Sequence, residues 1–212
     1  MTRPIAVLRP EPGNTATAIR IETLGLTAIR LPLFIVRPLA WTPPDPARFD
    51  ALLLTSANAV RHAGPNLDAL RTLPVVAVGE ATARAARAAG LTVETIGEGD
   101  AAAAVRASER VCLLHLAGRD RIDAGVKSIA VYAAENAPIA SVANLCGCVA
   151  LLHSVRAARR LAELVGREGV TDLRIAALST AVRAAGPDVP GAVAERPDDA
   201  TLVALAARLA AD

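Results

Sequence analysis

A short apolar run, a turn of small residues and an Ala/Arg helix closed by glycine occur in this chain twice. "VVAVGEATARAARAAG" spans Val75 to Gly90, and "RIAALSTAVRAAG" spans Arg174 to Gly186. Short apolar runs alternating with helical patterns are the mark of α/β architecture with parallel strands. Each return from strand to helix needs a residue that turns tightly or caps the helix. Gly79 permits the turn, Glu80 suits the positive end of the helix, and Gly90 fits the position just past its end. One unit earlier the correspondence recurs: "DALLLTSANAV" resembles "CVALLHSVRAA", with Ser56 and Ser154 ninety-eight residues apart. Ala-rich helices match one another by chance, but two ordered pairs at nearly one offset favour duplication. The chain reads as two similar α/β modules.

The remaining segments fit that frame. "IAVLRP" reads as a strand, followed by a helix from about Asn14 or Thr15 to Gly25, and "AIRLPLF" as a second strand. "RVCLLHLAGRD" and "SIAVYAAE" are further strands, the first ending in a glycine-containing turn, and a last helix runs from about Asp199 to Ala211. A chain of 212 residues holds one large domain or two of about 100 residues each. Alanine inflates the 53% apolar fraction, so the hydrophobicity reflects helices more than a bulky core. Trp41, Tyr132, Phe34 and Phe49 are the only aromatic residues of the Phe, Trp and Tyr types, which makes any of them near a strand end notable.

Charge and composition exclude several classes. The net charge is +2, with Lys127 the only lysine, and no basic stripe carries interleaved aromatics, so no nucleic-acid partner is expected. Arginine also suits bidentate binding of carboxylates, which keeps an acidic small molecule in play. The apolar run before Arg9 is too short for a signal peptide, and no run approaches the length of a membrane span. Cys112, Cys146 and Cys148 are odd in number and lack zinc-site spacing, which fits reduced thiols, a cytoplasmic location and no metal. "RPEPGNT" lacks the G-x-G-x-x-G pattern, and no G-K-[ST] occurs, so neither a dinucleotide nor a P-loop phosphate site is expected, nor any cofactor. Cys146 and Cys148 read as small core residues, and His115 as a core residue that has the option of facing a cleft. His153 and Ser154 are adjacent in an expected strand and so point to opposite faces, which rules out a nucleophile–base pair. No dimer stripe is evident, so a monomer is expected.

The order of "VLRPEPG", "TSANAV", "AVGEATARAARAAG", "HLAGRD", "VY", "LLHS" and "ALSTAVRAAG" resembles the uroporphyrinogen-III synthase family over almost the whole chain. No single motif is diagnostic; TSxNAV followed by AVGxATA is the strongest pair. The resemblance implies two flavodoxin-like parallel-sheet domains joined by a two-segment crossing, with a cleft between them. It implies a discontinuous layout: residues 1–35 with 138–212 in one domain and 38–134 inserted as the other. The Pro-rich "RPLAWTPPDP" and "AENAP" would be the crossings, since proline disfavours regular structure. The stretch between Asp120 and Ser128 is short for the family, which puts one helix of the inserted domain in question.

Ligands of open parallel sheets bind beyond the carboxyl ends of the strands, where helix starts offer free N–H groups. That places Thr55, Ser56, Asn58, Gly79, Gly118, Ser154 and Ser179 at the substrate, with Arg9, Arg119 and Arg156 as carboxylate clamps just past strand ends. The substrate implied by the resemblance is hydroxymethylbilane, a linear tetrapyrrole with eight carboxylates. The reaction implied is loss of its hydroxyl, attack by the last ring through a spiro intermediate, and closure with that ring inverted. Tyr132 matches the family's tyrosine and is the expected proton donor; Thr82 matches its threonine in the corner after the glycine. Each also has a structural alternative, as a packing tyrosine and a first-turn threonine. Glu80 is expected to point away from an anionic substrate or to pair with Arg84. The rival reading is a non-catalytic two-domain protein that binds or senses a small anionic ligand.

Overall fold

The structure, a computed structural model, describes residues 2–97, 101–121, 123–139 and 141–211. The chain divides into two compact units, residues 1–35 with 136–212 and residues 36–135.

The first unit is built from β1 (Ile5–Val7), α1 (Gly13–Thr23) and β2 (Ala28–Arg30) at one end of the chain. The elements that follow the second unit in sequence complete it: β9 (Val149–Leu152), α5 (Val155–Glu168), β10 (Arg174–Ala177), α6 (Thr180–Ala184), β11 (Gly191–Val193) and α7 (Asp199–Ala211). All its strand pairs are parallel, in the order β11-β10-β9-β1-β2. Numbered along the chain this is the flavodoxin order, 2-1-3-4-5 read from the β2 edge. β1 and β9 are buried along their whole length, as expected of strands covered on both faces. α5 shows why the sequence folds so locally. Ser154 caps it by accepting from the Ala157 N–H, and Gly169 ends it in the left-handed region at φ 65°. Ala157, Ala158, Leu161, Leu164 and Val165 form its buried face, at helical spacing. Full burial of a leucine such as Leu161 contributes about 1.5–3 kcal/mol.

The second unit holds β4 (Ala51–Leu54), α2 (Ala57–His62), β5 (Val75–Val78), α3 (Glu80–Ala88), β6 (Val93–Gly97), α4 (Ala101–Ala107), β7 (Leu113–Gly118) and β8 (Lys127–Asn136). Its parallel strands run β8-β7-β4-β5-β6. Along the chain that order is 3-2-1-4-5 from the β6 edge, so the flavodoxin numbering expected of both units belongs to the first only. In space the two sheets correspond: β4, β5 and β6 match β9, β10 and β11, while β7 and β8 match β1 and β2. The strand pair that opens the first unit closes the second, which makes the units circular permutations of one design.

The expected single strand "AIRLPLF" is two. β2 stops at Arg30, and β3 (Phe34–Pro38) pairs with β8 at the edge of the second sheet. Pro32, which has no N–H to give a ladder, lies between them. Part of each expected crossing is strand: Arg37 and Pro38 end β3, and 134–136 end β8. The Ala137 N–H donates to the Leu33 carbonyl and the Leu39 N–H to the Val131 carbonyl, so β3 and β8 run antiparallel where the chain passes between units. The proline-rich stretch after Leu39 is irregular, apart from a short 3-10 turn at 46–48. β6, α4 and β11 add to the elements expected from the sequence. Among the described residues no helix lies between β7 and β8.

Candidate active site

In the second unit, β4, β7 and β8 bring their polar residues to one pocket of about 300 Å³. Thr55, Ser56, His115, Gly118 and Tyr132 line it, with Asp120, Arg121 and Asp123 at the loop after β7 and Ala101 and Ala102 at the start of α4. Register explains the convergence. His115 on β7 lies beside Leu53 on β4 and Ser128 on β8. Thr55 is two residues past Leu53 and so on the same side of the sheet.

Tyr132 is set by a bulge. Ala117 pairs with Ala130, but Gly118 pairs with Tyr132, so Val131 is the extra residue. A bulge re-aims the side chains that follow it. Here it lays the phenol against Gly118, where an added Cβ would come within 2.9 Å of the ring's Cζ and 3.1 Å of its hydroxyl oxygen. Only glycine leaves room for the ring in this position. The His62 ring stands 6.2 Å away, centroid to centroid.

His115 is 1% exposed and bonded at both nitrogens: Nε2 lies 3.0 Å from Thr55 Oγ1 and Nδ1 lies 3.3 Å from Ser128 Oγ. Burial, with the nearby Arg121 charge, lowers its pKa to about 4, so the imidazole is neutral at pH 7. The core assignment was right as to burial. Its hydrogen bonds to a pocket-lining threonine were not legible, because they join residues far apart in sequence.

The other expected site residues fall into two groups. Ser56, Ser154 and Ser179 cap α2, α5 and α6, each hydroxyl accepting an N–H of the first turn. Asn58 accepts from Arg61 at 3.3 Å. Gly79 adopts φ 78° and starts α3 without any side-chain cap. Thr82, in the first turn of α3, is buried and does not line the pocket that holds Tyr132. Glu80 pairs with Arg87 at 3.3 Å rather than with Arg84, a correction to the expected i, i+4 pair.

The three expected arginine clamps differ. Arg9 lies 3.3 Å from Asp199, and the Arg156 guanidinium stacks 4.5 Å above the Phe34 ring. Arg119, half exposed, lies 3.9 Å from Glu135 and lines an open groove of about 520 Å³ with Arg121, Asp123, Val126, Lys127 and Ser128. That groove shares Arg121 and Asp123 with the tyrosine pocket and brings the chain's lone lysine beside two arginines.

At the matching strand ends of the first unit, polar residues gather on one carboxylate, while His153 Nδ1 is buried without a hydrogen-bond partner. Asp199 takes bonds from His153 at 2.8 Å, Thr17 at 2.7 Å, Arg9 and Arg20. Burial opposes its charge, yet the bonds from His153 and Thr17 and the charges around it hold its pKa to about 2. Burial lowers the His153 pKa against the pull of Asp199. Among the described residues no group of three His, Cys, Asp or Glu side chains is placed to hold a metal. No described helix is long and apolar enough to cross a membrane. Cys148 is buried as expected, whereas Cys146 is exposed.

Two parallel α/β units, with polar side chains gathered at the carboxyl ends of their strands, define a two-module protein of the small-molecule-binding α/β class. The sequence matches the HEM4 family model, uroporphyrinogen-III synthase HemD, over residues 15–204. The chain belongs to the uroporphyrinogen-III synthase HemD family, and with that membership goes a catalytic function in tetrapyrrole biosynthesis. Its fold is similar to the crystal structure of uroporphyrinogen-III synthetase from Helicobacter pylori, at 18% identity and a TM-score of 0.69, over 98% of this chain and 99% of that one. It is also similar to a mutant uroporphyrinogen III synthase from the extremely thermophilic bacterium Thermus thermophilus, at 13% identity and a TM-score of 0.54, over 95% and 96% of the two chains. None of the curated proteins matches the sequence.

Proposed function

We propose that the chain closes hydroxymethylbilane to uroporphyrinogen III, as a cyclising hydro-lyase, with Tyr132 as proton donor in the pocket of the second unit. The hydroxyl of the first ring's methylene leaves as water when the phenol hands it a proton. The last ring attacks through its substituted carbon, and the spiro intermediate breaks and recloses with that ring inverted. Closure releases a proton from the ring carbon, which restores the phenol, so the net change is loss of one water. The pyrroles supply the electronic push; the protein supplies orientation and one proton. The groove of Arg119, Arg121 and Lys127 suits the substrate's carboxylates, with charge-assisted hydrogen bonds of about 1.5–3 kcal/mol each. Arg9 and Arg156 have partners within their own unit and are weaker candidates for that task. Thr82 fits a packing role in α3 better than a catalytic one. A monomer in the cytoplasm, needing no cofactor, completes this reading.

The observation that carries it is the seating of Tyr132 against Gly118 on the lining of a polar pocket. The test is to give the purified protein fresh hydroxymethylbilane and separate the product isomers. Type III product is expected; type I product at the spontaneous rate would leave only ligand binding. Tyr132→Phe should lower kcat about a hundredfold or more while leaving KM nearly unchanged, and full turnover in that variant would make the tyrosine structural.

A further inference from the structure

The hydrogen bonds around His115 fix which way the Thr55 hydroxyl points. Ser128 Oγ lies 3.1 Å from the Val126 carbonyl and 3.3 Å from His115 Nδ1. A carbonyl only accepts, so the single hydroxyl proton of Ser128 must go to Val126 for that bond to exist. Ser128 then accepts from His115, which places the imidazole proton on Nδ1. Nε2 is left as an acceptor, and its partner at 3.0 Å, Thr55, must donate to it. With the opposite neutral tautomer, Ser128 would have to turn its proton to Nδ1 and the Val126 bond would be lost. The imidazolium also satisfies both Ser128 bonds, but burial disfavours it at neutral pH.

Thr55 lines the pocket with its one proton committed inward, so its hydroxyl shows the ligand lone pairs alone. A hydroxyl in that state repels a carboxylate and accepts from an N–H. Asp120 and Asp123, on the same pocket, bias it the same way and outnumber the one cation there, Arg121, which also lines the neighbouring groove. We propose that Thr55 accepts the N–H of a pyrrole ring of the bound tetrapyrrole, that His115 and Ser128 are positioning residues which aim its lone pairs, and that carboxylates bind outside this pocket. This rests on the reading of the chain as a tetrapyrrole-binding enzyme and reverses the role expected of Thr55 from its place at a strand end. An N–H donor gains acidity as its ring gains positive charge, so the contact strengthens as the departing hydroxyl draws electrons from the ring that carries it.

The test pairs a change in ligand with a change in protein. A monopyrrole dicarboxylic acid and its N-methyl counterpart are titrated into wild type and into Thr55→Val, which keeps the side-chain shape. N-methylation should weaken binding to wild type by about fivefold, and should leave binding to the variant unchanged within error. Equal losses in both proteins, or no binding of the N–H form to wild type, would overturn the proposal. Thr55→Ser should restore the discrimination. Nitrogen-15 spectra of the three histidines should show His115 as the Nδ1–H tautomer, and Ser128→Ala should release that preference; an Nε2–H form in wild type would refute it. Type III product with the wrong tautomer sinks this inference alone. Pyrrole N–H discrimination without type III product sinks the catalytic reading alone.

Discussion

The two units build the same strand order and finish its open end differently. At the ninety-eight-residue offset, His153 of the first unit corresponds to Thr55 of the second, and Asp199 to Ala101. In the first unit Asp199 gathers His153, Thr17, Arg9 and Arg20, so the charges there are spent on one another. In the second, an alanine stands where the aspartate would be and lines a pocket. The crossovers differ in the same sense. β1 and β2 are joined through α1, whose Asn14 ties back the Val7 and Arg9 carbonyls. β7 and β8 are joined by a loop bearing Arg119, Asp120, Arg121 and Asp123, with no helix among its described residues. In the first unit the polar side chains at these strand ends meet on one carboxylate, while in the second they line a pocket.

Several changes would break or sharpen that contrast. Asp199→Ala should have the largest effect on folding, about 2–3 kcal/mol by chemical denaturation, because it leaves His153 and two arginines uncompensated. An unchanged midpoint would mean that the cluster does not hold the first unit. Gly118→Ala should reduce turnover about a hundredfold with the fold intact, since displacing a reacting group by an ångström has that scale of effect. If its kcat stayed at the wild-type value, the seat of Tyr132 would be irrelevant to chemistry.

Acidification is expected to act next. The folded His115 takes its proton only near pH 4, whereas the unfolded chain takes it near 6.5. Between those values the unfolded state binds more protons, so stability falls as pH falls, by about 3 kcal/mol in all. His62 and His153 are lowered in the same direction. The share of His115 is therefore read as the part of the slope that disappears in His115→Gln, and an identical slope in that variant would contradict its burial in neutral form. Asp199 contributes in a lower window: its depressed pKa adds stability above the unfolded value of 3.8, lost as pH drops through about 2. The smallest effect belongs to Arg87→Ala, below about 1 kcal/mol, because the Glu80 pair is half exposed and screened; a larger loss in thermal melts would give that helix pair a role it has not been assigned.

The strand-to-helix corners were legible because each leaves a local chemical trace. Buried parallel strands such as β4 and β9 leave unbroken apolar runs, and Ser56, Ser154 and Gly90 mark helix ends by what their own backbones require. Tyr132 stood out by its rarity among aromatics and by the family pattern. Thr55 was legible as a strand-end residue but not in its polarity, since the direction of its proton is dictated by His115, sixty residues away. The contacts of Arg9 with Asp199 and of Arg156 with Phe34 were not legible, because no spacing rule connects these partners.

By itself, then, the sequence determined what depends on neighbours along the chain: the alternation of strand and helix, the caps, the doubled module and the family likeness. Tertiary structure alone decided that β3 and β8 would pair where the chain passes between units, that a bulge would turn Tyr132 onto Gly118, and that His153, Thr17 and Arg9 would meet on Asp199 while Thr55, His115 and Tyr132 line a pocket. Those outcomes depend on contacts between residues tens to hundreds of positions apart. The free energy of such contacts is set by burial and geometry, and neither exists until the sheets have formed.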